Sequence, residues 1–289
     1  MKYGVVANPV AGELSVDEKS HLLKQVSEIL VDCEIDGLDT TSPTEFCESA
    51  RALAERVDVL VVAGGDGTVL DVINAVDLHR VVLSYLPLGS GKALHYSLNL
   101  PESIPSAADQ IRDGRKRSID LILCDGRKKA LFASVGIDGQ IIQERVKYIQ
   151  KGVKGLTAYQ RAVIRSLLGG YERPDARVTL DDETFEVPHV FSLMVTKIPF
   201  YGYGFKVVPR ARLDDGNLHL LSISSAAQVV YTFTSTYCSG ENRAGDYRTG
   251  RTVHITTTKK EYLQAHGDVI REGTDFTFEI MPRALDMIY

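Results

Sequence analysis

Residues 57–76, VDVLVVAGGDGTVLDVINAV, decide the fold. The first seven residues of this stretch are almost all apolar, which is typical of a parallel strand covered on both faces. Residues 64–68, Gly-Gly-Asp-Gly-Thr, follow as a tight connection. Apolar residues then recur at helical spacing, at Val69, Val72, Ile73 and Val76. The stretch therefore predicts a buried strand, a glycine loop and a helix.

The same alternation continues on both sides of this stretch. Short apolar runs at residues 3–7, 33–38 and 81–86 predict strands, and helical spacing follows each of them. This order is typical of an open parallel sheet with helices on both faces. From about residue 117, strand-like runs joined by short polar turns dominate, with one helical insert at 139–168. We predict an α/β domain at 1–116 and a mainly β domain at 117–273.

Composition argues against several classes of protein. The chain has 289 residues, a formal net charge of −5 and 44% hydrophobic residues, which are ordinary values for a soluble globular protein. The negative charge disfavours nucleic-acid binding. Four cysteines without a Cys-x-x-Cys pair argue against a zinc ribbon or a disulfide scaffold. No run is long enough for a membrane span or a secretory signal, so we expect a cytoplasmic protein.

Three loops follow predicted strands of the first domain. They contain Asn8, Pro9 and Gly12, then residues 64–68, then residues 87–91, Pro-Leu-Gly-Ser-Gly. The carboxyl ends of parallel strands share one edge of a sheet, so these loops converge. Glycines there let backbone N–H groups approach a phosphate, and a helix N-terminus favours its charge. The alternative is that the glycines serve turn geometry alone.

Two later turns carry acidic residues. Asp214 and Asp215 precede Gly216, and such a turn can hold a hard cation through its oxygens or form an ordinary Asx turn. Residues 264–268, Gln-Ala-His-Gly-Asp, lie between two predicted strands and predict a hairpin turn.

Taken in order, these motifs resemble the diacylglycerol kinase catalytic-domain family, which includes bacterial lipid kinases and the sphingosine and ceramide kinases. Gly-Gly-Asp-Gly-Thr also occurs in NAD kinases and does not discriminate, whereas Pro-Leu-Gly and Asp-Asp-Gly-x-Leu favour the lipid kinases. The resemblance implies a Rossmann-like nucleotide-binding domain, a C-terminal β-sandwich and an active site in the cleft between them. It also implies that residues 274–289 complete the first domain.

The resemblance further implies the site residues and the cofactors, ATP and Mg²⁺. The implied ATP contacts are Asn8, Thr41, Gly64, Gly65, Asp66, Gly67, Thr68 and Ser90. The implied structural Mg²⁺ ligands are the Asp215 carboxylate and the carbonyls of Arg212 and Asn217. Asp268 corresponds to the family's catalytic acid, and Asp66 is the second implied catalytic residue, near a phosphate-bound Mg²⁺. Asp138, in Gly-Ile-Asp, faces the acceptor or caps a turn.

The chain departs from the family pattern at several of these positions. Leu70 and Asp71 stand where the family has Asn-Glu, Lys92 and Ala93 where it has Asn-Asp, and His266 replaces an aspartate. Lys92 beside phosphates could substitute for a cation or abolish metal binding. We predict an ATP-dependent kinase acting on a hydroxyl of a diacylglycerol- or sphingoid-like lipid. The alternatives are a catalytically impaired nucleotide-binding regulator of the same fold, or an NAD kinase relative.

A basic, amphipathic segment spans residues 143–168. Its cations are Arg145, Lys147, Lys151, Lys154, Arg161 and Arg165. Such a segment can rest peripherally on an anionic inner-membrane surface, and a solvated helix face is the alternative. The aromatic, glycine-rich run at 198–205 suits either a wall for an apolar tail or core packing. A homodimer is compatible with the sequence.

Overall fold

The computed structural model describes residues 1–153, 155–239 and 241–289, so that Lys154 of the basic segment lies outside the described residues. The chain forms two compact units. The first comprises Met1–Asp120, Gly202–Gly204 and Pro282–Tyr289. The second comprises Leu121–Tyr201 and Phe205–Met281.

The first unit contains a parallel sheet with helices between its strands. The strands are β1 (Tyr3–Ala7), β2 (Cys33–Asp36), β3 (Val59–Gly64) and β4 (Val82–Pro87). The helices are α1 (Val16–Leu30), α2 (Pro43–Ala54), α3 (Asp66–Ala75), α4 (Ala93–Ser97) and α5 (Ile104–Asp113). The strand order is β2-β1-β3-β4, all parallel. The predicted open parallel sheet is confirmed.

Local sequence explains where the first two helices begin. Ser15 caps α1 in a capping box with Glu18, whose carboxylate accepts the Ser15 N–H at 2.8 Å. Ser42 caps α2, and Pro43 occupies its first turn, where a missing N–H does no harm. Every residue of β1 and β3 is buried, as expected of central parallel strands. Apolar residues of α1 and α5 pack with these strands in one core cluster.

The remaining strands lie mainly in the second unit and are mainly antiparallel, although β5 begins and β14 ends in the first unit. They are β5 (Lys116–Cys124), β6 (Lys128–Ala130), β7 (Phe132–Gly136), β8 (Ala176–Leu180), β9 (Glu183–Val187), β10 (Ser192–Thr196), β11 (Leu218–Ile223), β12 (Asp246–Gly250), β13 (Thr252–Ala265) and β14 (Asp268–Ile288). The order β12-β11-β10-β7-β13 runs antiparallel throughout. The first half of β13 pairs with β8 and its second half with β7, across a register shift. Strand β13 therefore pairs with different strands along its two halves.

The second unit contains more helices than the single helical insert that the sequence predicts. They are α6 (Ile137–Gln150), α7 (Gly155–Leu168) and α8 (Ala226–Ser239). The predicted insert is two helices, because α6 ends at Gln150 and Gly152 then adopts a φ of +82°, outside the helical region. The third helix, α8, was not predicted. Within the described part of the chain, no helix is both long and apolar enough to cross a bilayer.

The last strand connects the units in sequence. β14 begins in the second unit and ends in the first, where Met287 pairs in parallel with Leu83 of β4. Ser84 Oγ donates a hydrogen bond to Ile288 O at 2.7 Å, and both residues are buried. The sheet of the first unit therefore gains its fifth strand from the very end of the chain.

Candidate functional site

Three loops meet at the carboxyl edge of the first unit's sheet. The Asn8 N–H donates to Ala63 O at 2.9 Å, and Asn8 Nδ2 donates to Thr68 Oγ1 at 3.0 Å. The Gly89 N–H donates to Gly64 O, also at 2.9 Å. The loops after β1, β3 and β4 are therefore bonded into one structure.

Glycine lets these loops approach through their backbones. A Cβ at Gly89 would lie 2.4 Å from Gly65 Cα, and one at Gly12 would lie 1.9 Å from Leu88 O. Gly12 also has φ +70°, which disfavours other residues. Gly65 differs, because its φ is −103° and its Cβ would lie at an ordinary 3.5 Å from Gly89 Cα. The contact geometry therefore demands glycine at 12 and 89 but not at Gly65.

The N-terminus of α3 opens beside these glycines. Gly65 is the N-cap residue, and its N–H donates to Thr68 Oγ1 at 3.2 Å. The N–H groups of a first helical turn have no intrahelical acceptor and carry the positive end of the helix dipole. Those of Asp66 and Gly67 occupy this turn. This arrangement can bind a phosphate.

Asp66 ties the third loop to α3. Its Oδ2 and Oδ1 accept the N–H groups of Ala93 and Leu94 at 3.1 and 2.9 Å, so it caps α4. Burial raises the pKa of Asp66, although these two hydrogen bonds and His95 oppose the rise. Both carboxylate oxygens are thus engaged with backbone. The geometry makes Asp66 a positioning residue for the loop.

Thr41, Ser90 and Lys92 have more exposed surroundings. Both the N–H and the Oγ1–H of Thr41 donate to Glu45 Oε2, at 2.7 and 2.8 Å. Ser90 is exposed at the tip of its loop. Lys92 Nζ lies 3.1 Å from Glu102 Oε2, so its ammonium has a carboxylate partner within the first unit.

Lys19 holds the first loop and was missed by the sequence analysis. It is 1% exposed, and its Nζ donates to Pro9 O at 2.5 Å and more weakly to Asn8 O at 3.4 Å. Burial lowers the pKa of Lys19. A signal existed, because Lys19 shares the buried stripe of α1 with Leu23 and Val26. A lysine in an apolar stripe needs buried acceptors.

Asp138 lies in the first turn of α6, within the second unit. Its carboxyl group is buried and accepts hydrogen bonds from Ser192 Oγ and, at 3.2 Å, from Tyr201 Oη. Burial raises the pKa of Asp138, and these hydrogen bonds oppose the rise. Because its partners lie on other elements, Asp138 is more than a local turn cap.

Asp138 lines an apolar pocket. Helices α6, α7 and α8 form much of its wall. Its apolar lining includes Ile141, Val163, Leu167, Met194, Ile223 and Val229. Such a lining with one buried carboxyl group suits a hydrocarbon chain attached to a hydroxyl.

Asp268 follows the turn between β13 and β14. The turn is fixed on β7, because Gln264 Nε2 donates to Ser134 Oγ at 2.6 Å and the Gly267 N–H donates to Gln264 Oε1 at 3.1 Å. Asp268 itself is exposed. Neighbouring atoms nevertheless desolvate its carboxyl and raise its pKa, whereas the positive charges of Lys128 and Arg145 act to lower it. A carboxyl with a raised pKa at a fixed turn can act as a general base.

His266, which stands in this turn where the family has an aspartate, accepts backbone hydrogen bonds. Its Nε2 accepts the N–H groups of Leu131 and Phe132 at 2.9 and 3.1 Å. Burial lowers the pKa of His266 to about 4. The imidazole is therefore neutral at pH 7 and serves as an acceptor, a role that a local pattern does not reveal.

This histidine predicts a loss of stability in acid. Its pKa is about 4 when folded and about 6.5 when unfolded, so the unfolded chain binds more protons between these values. The stabilisation is complete above about pH 6.5 and declines toward pH 4, by about 2–3 kcal/mol. Urea unfolding of the wild type and His266→Gln across this range measures it. A glutamine Oε1 can accept the same N–H groups without titrating, so parallel pH curves would contradict the prediction.

The predicted metal turn holds an ammonium group. Lys197 Nζ donates to Asp215 Oδ1 at 2.7 Å and to Asn217 O at 2.5 Å. Burial alone would raise the pKa of Asp215, but hydrogen bonds from Lys197 and the Asn217 N–H leave it lowered. The Arg212 N–H donates to His219 Nε2 at 3.2 Å. Two of the three implied Mg²⁺ ligands, the Asp215 carboxylate and the Asn217 carbonyl, are therefore bonded to Lys197. With the ammonium in place, this turn does not fit a metal ion.

Comparison with known proteins decides the family. Residues 2–124 match the diacylglycerol kinase catalytic domain. Residues 132–289, more than half of the chain, match the YegS C-terminal NAD kinase beta sandwich-like domain. The chain belongs to the diacylglycerol kinase catalytic-domain family. The predicted fold class, a parallel α/β domain followed by a β-sandwich domain, is confirmed.

Individual relatives of this diacylglycerol kinase family member agree. A diacylglycerol kinase of Staphylococcus saprophyticus is 29% identical over 232 residues, or 77% of this chain and 72% of the relative. A putative diacylglycerol kinase structure from Bacillus anthracis has a TM-score of 0.79 at 20% identity, covering 100% of this chain and 96% of that one. An NAD kinase from Archaeoglobus fulgidus in complex with ATP has a TM-score of 0.53 at 13% identity, covering 100% and 93%. The two structures establish the fold of this family member.

Proposed function

We propose that the protein is an ATP-dependent lipid kinase that transfers the γ-phosphate to a hydroxyl of a diacylglycerol- or sphingoid-like lipid. One observation carries the choice of acceptor, namely the apolar pocket of the second unit with the buried carboxyl of Asp138 in its wall. Hydrocarbon burial contributes about 0.8 kcal/mol per methylene, so such a pocket favours an acyl or alkyl chain over a dinucleotide.

The first unit supplies the nucleotide-binding part of this proposal. The loop glycines bring backbone close together at the N-terminus of α3, which favours the phosphates of ATP. Mg²⁺ enters bound to ATP, as part of the substrate, and neutralises phosphate charge. Asn8 and Thr68 are bonded to each other and fix the loop after β1 against α3. Asp66 and Lys19 act indirectly, by holding the loops in place.

Asp268 is the proposed general base. Phosphoryl transfer depends mainly on positioning and on stabilisation of charge, with a carboxylate taking the proton of the attacking hydroxyl. The raised pKa of Asp268 strengthens it as a proton acceptor. The acceptor oxygen then bonds to the γ-phosphorus as the bond between that phosphorus and the ADP oxygen breaks. Asp268 keeps the proton until it is released to solvent.

A lipid substrate requires access to a membrane, and we propose that α6 and α7 provide peripheral contact. Both helices expose apolar side chains, with Ile149 of α6 45% and Leu168 of α7 82% exposed. Exposed cations lie among them, at Lys147, Lys151, Arg161 and Arg165. This mixture suits the interface of an anionic bilayer, where apolar side chains enter and cations meet headgroups.

The deciding experiment offers labelled ATP to separate acceptors. Diacylglycerol and sphingosine in mixed micelles, and NAD in buffer, are incubated with the protein and Mg²⁺, and ATP affinity is measured in parallel. We expect label in a lipid product. ATP binding without any product would instead favour the impaired regulator, and label in NAD alone would favour an NAD kinase relative.

Asp138→Asn is expected to impair use of the lipid. The substitution replaces one carboxylate oxygen with an NH₂ group and removes the negative charge beside the acceptor hydroxyl, so kcat/KM for lipid should fall about 10- to 100-fold. The affinity for ATP should not change. Initial rates at varied lipid, with separate ATP titration, measure the effect. Asp182→Asn, at an exposed position of the same unit, is the matched control. Wild-type lipid kinetics in Asp138→Asn would exclude Asp138 from the acceptor site.

A further inference from the structure

We propose that the ammonium of Lys197 is a built-in cation that replaces the structural metal ion at the Asp215 turn, so that the second unit needs no bound divalent metal. This role of Lys197 concerns the architecture of the second unit and is independent of the proposed kinase activity. The implied metal ion does not fit, because Lys197 is already bonded to two of its ligands.

The backbone delivers Lys197 directly to this turn. Thr196, the last residue of β10, pairs with His219 of β11, and the Asp215 turn immediately precedes β11. The Lys197 N–H donates to Leu131 O at 2.7 Å, which fixes the start of the side chain. The Nζ contacts with Asp215 Oδ1 and Asn217 O fix its end. Lys197 therefore connects three segments of the second unit at one point.

Because Lys197 is buried, its positive charge needs a partner within the protein. The side chain is 0% exposed, whereas that of Asp215 is 26% exposed. A buried ammonium is tolerated only with a charged partner and further hydrogen bonds, and removal of one member of such a pair is strongly destabilising. Asp215 supplies the charge, and the Asn217 carbonyl supplies a second acceptor. The pair balances its own charge without an added ion.

A divalent ion and this ammonium would compete for the same oxygens. A metal ion bound to Asp215 Oδ1 and Asn217 O would lie beside Nζ, and adjacent like charges repel. His219 Nε2 lies 3.1 Å from Asp215 Oδ2, so the second carboxylate oxygen also has a neighbour. Among the described residues, no group of three or more His, Cys, Asp or Glu side chains is placed to hold a metal ion.

Thermal unfolding without nucleotide tests the proposal. The wild type is expected to unfold at the same temperature in EDTA and in Mg²⁺. Lys197→Ala removes the ammonium and vacates the oxygens, so it should unfold at a lower temperature in EDTA. Added Mg²⁺ or Mn²⁺ should then raise its Tm by about 4 °C or more, since a ligand that binds only the folded state stabilises it.

Lys259→Ala is the matched control, because Lys259 forms an exposed ion pair with Glu172 in the same unit. Its Tm should stay near that of the wild type and should not respond to Mg²⁺. A folded Lys197→Ala protein that is as stable as the wild type in EDTA would overturn the proposal, as would one whose Tm does not respond to either metal.

If Lys197→Ala does not fold, direct metal analysis of the wild type tests the proposal. Wild-type protein is equilibrated with Mn²⁺ in the absence of nucleotide, and bound metal is counted after dialysis. We expect none at the Asp215 turn. One equivalent of Mn²⁺ in the wild type that is absent from Asp215→Asn would overturn the proposal. Lys197→Met, which keeps an unbranched stem without the charge, provides a second variant for the thermal test.

Discussion

Gly65→Val is expected to weaken ATP binding by about 100-fold or more, and Gly65→Ala by about 10-fold. The added side chain would enter the space between the two glycine loops, in front of the N–H groups at the start of α3. A phosphate cannot then approach those donors closely. Titration of the protein with ATP, followed by calorimetry, measures both affinities.

This series separates ligand binding from folding. The φ of Gly65 suits any residue, and a Cβ there makes only an ordinary contact at 3.5 Å, so Gly65→Ala should fold normally. Gly126→Ala, in the other unit, is the contrasting control: Gly126 has φ +64°, so alanine should lower stability there although its Cβ meets nothing within 4 Å, and ATP affinity should not change. Undiminished ATP affinity in folded Gly65→Val would place the phosphates elsewhere.

Asp268→Asn is expected to reduce turnover by about 10²- to 10⁴-fold, the usual contribution of general acid–base catalysis. ATP affinity should remain at the wild-type value, because the predicted nucleotide contacts are elsewhere in the sequence. Asp268→Glu should retain turnover, since it keeps the carboxylate and lengthens the side chain by only one methylene. Single-turnover transfer to lipid, with ATP binding measured separately, tests all three proteins.

The pH dependence adds a second test of the same residue. Desolvation of the carboxyl by neighbouring atoms raises the pKa of Asp268, and a base acts only when it is ionised. Activity should therefore fall on the acidic side at a pH above the usual aspartate pKa of about 3.9, and this limb should be missing from the residual activity of Asp268→Asn. Wild-type turnover in Asp268→Asn would mean that another group, with Asp138 the next candidate, accepts the proton.

The first unit was largely predictable because its signals are local. An apolar run followed by Gly-Gly-Asp-Gly-Thr specifies strand, loop and helix within about twenty residues, and Ser15 and Ser42 mark helix starts by capping. The convergence of the three loops followed from parallel topology alone. Each of these inferences needed only neighbouring residues or a general rule about sheets.

Side-chain partnerships within the site were not predictable in the same way. Asp66 bonds to the N–H groups of residues 27 and 28 positions later, and Lys197 bonds to residues 18 and 20 positions later. A motif gives the residue type but not which distant donor reaches it. The sequence therefore did not reveal that Asp66 caps α4 or that Lys197 is bonded at the implied metal turn, and the catalytic role of Asp66 stays a prediction.

Helix α8 was missed for a different reason. Its sequence is rich in Val, Thr, Tyr and Phe, which favour strands. In the helix, Thr232 and Thr236 instead donate their hydroxyls to carbonyls four residues earlier. A usable signal was present at its start, where Ser225 and Gln228 have the spacing of a capping box and the Gln228 N–H donates to Ser225 Oγ at 3.2 Å.

The path of β14 has a practical consequence for genetics and for protein engineering. Residues 282–289 belong to the first unit, although they follow the whole of the second unit in the sequence. A stop codon after residue 281 would remove Met287, the partner of Leu83, and Ile288 O, the acceptor for Ser84. Loss of residues 282–289 would thus be a defect of the first unit, and a fragment cut between the two family matches would lack this strand.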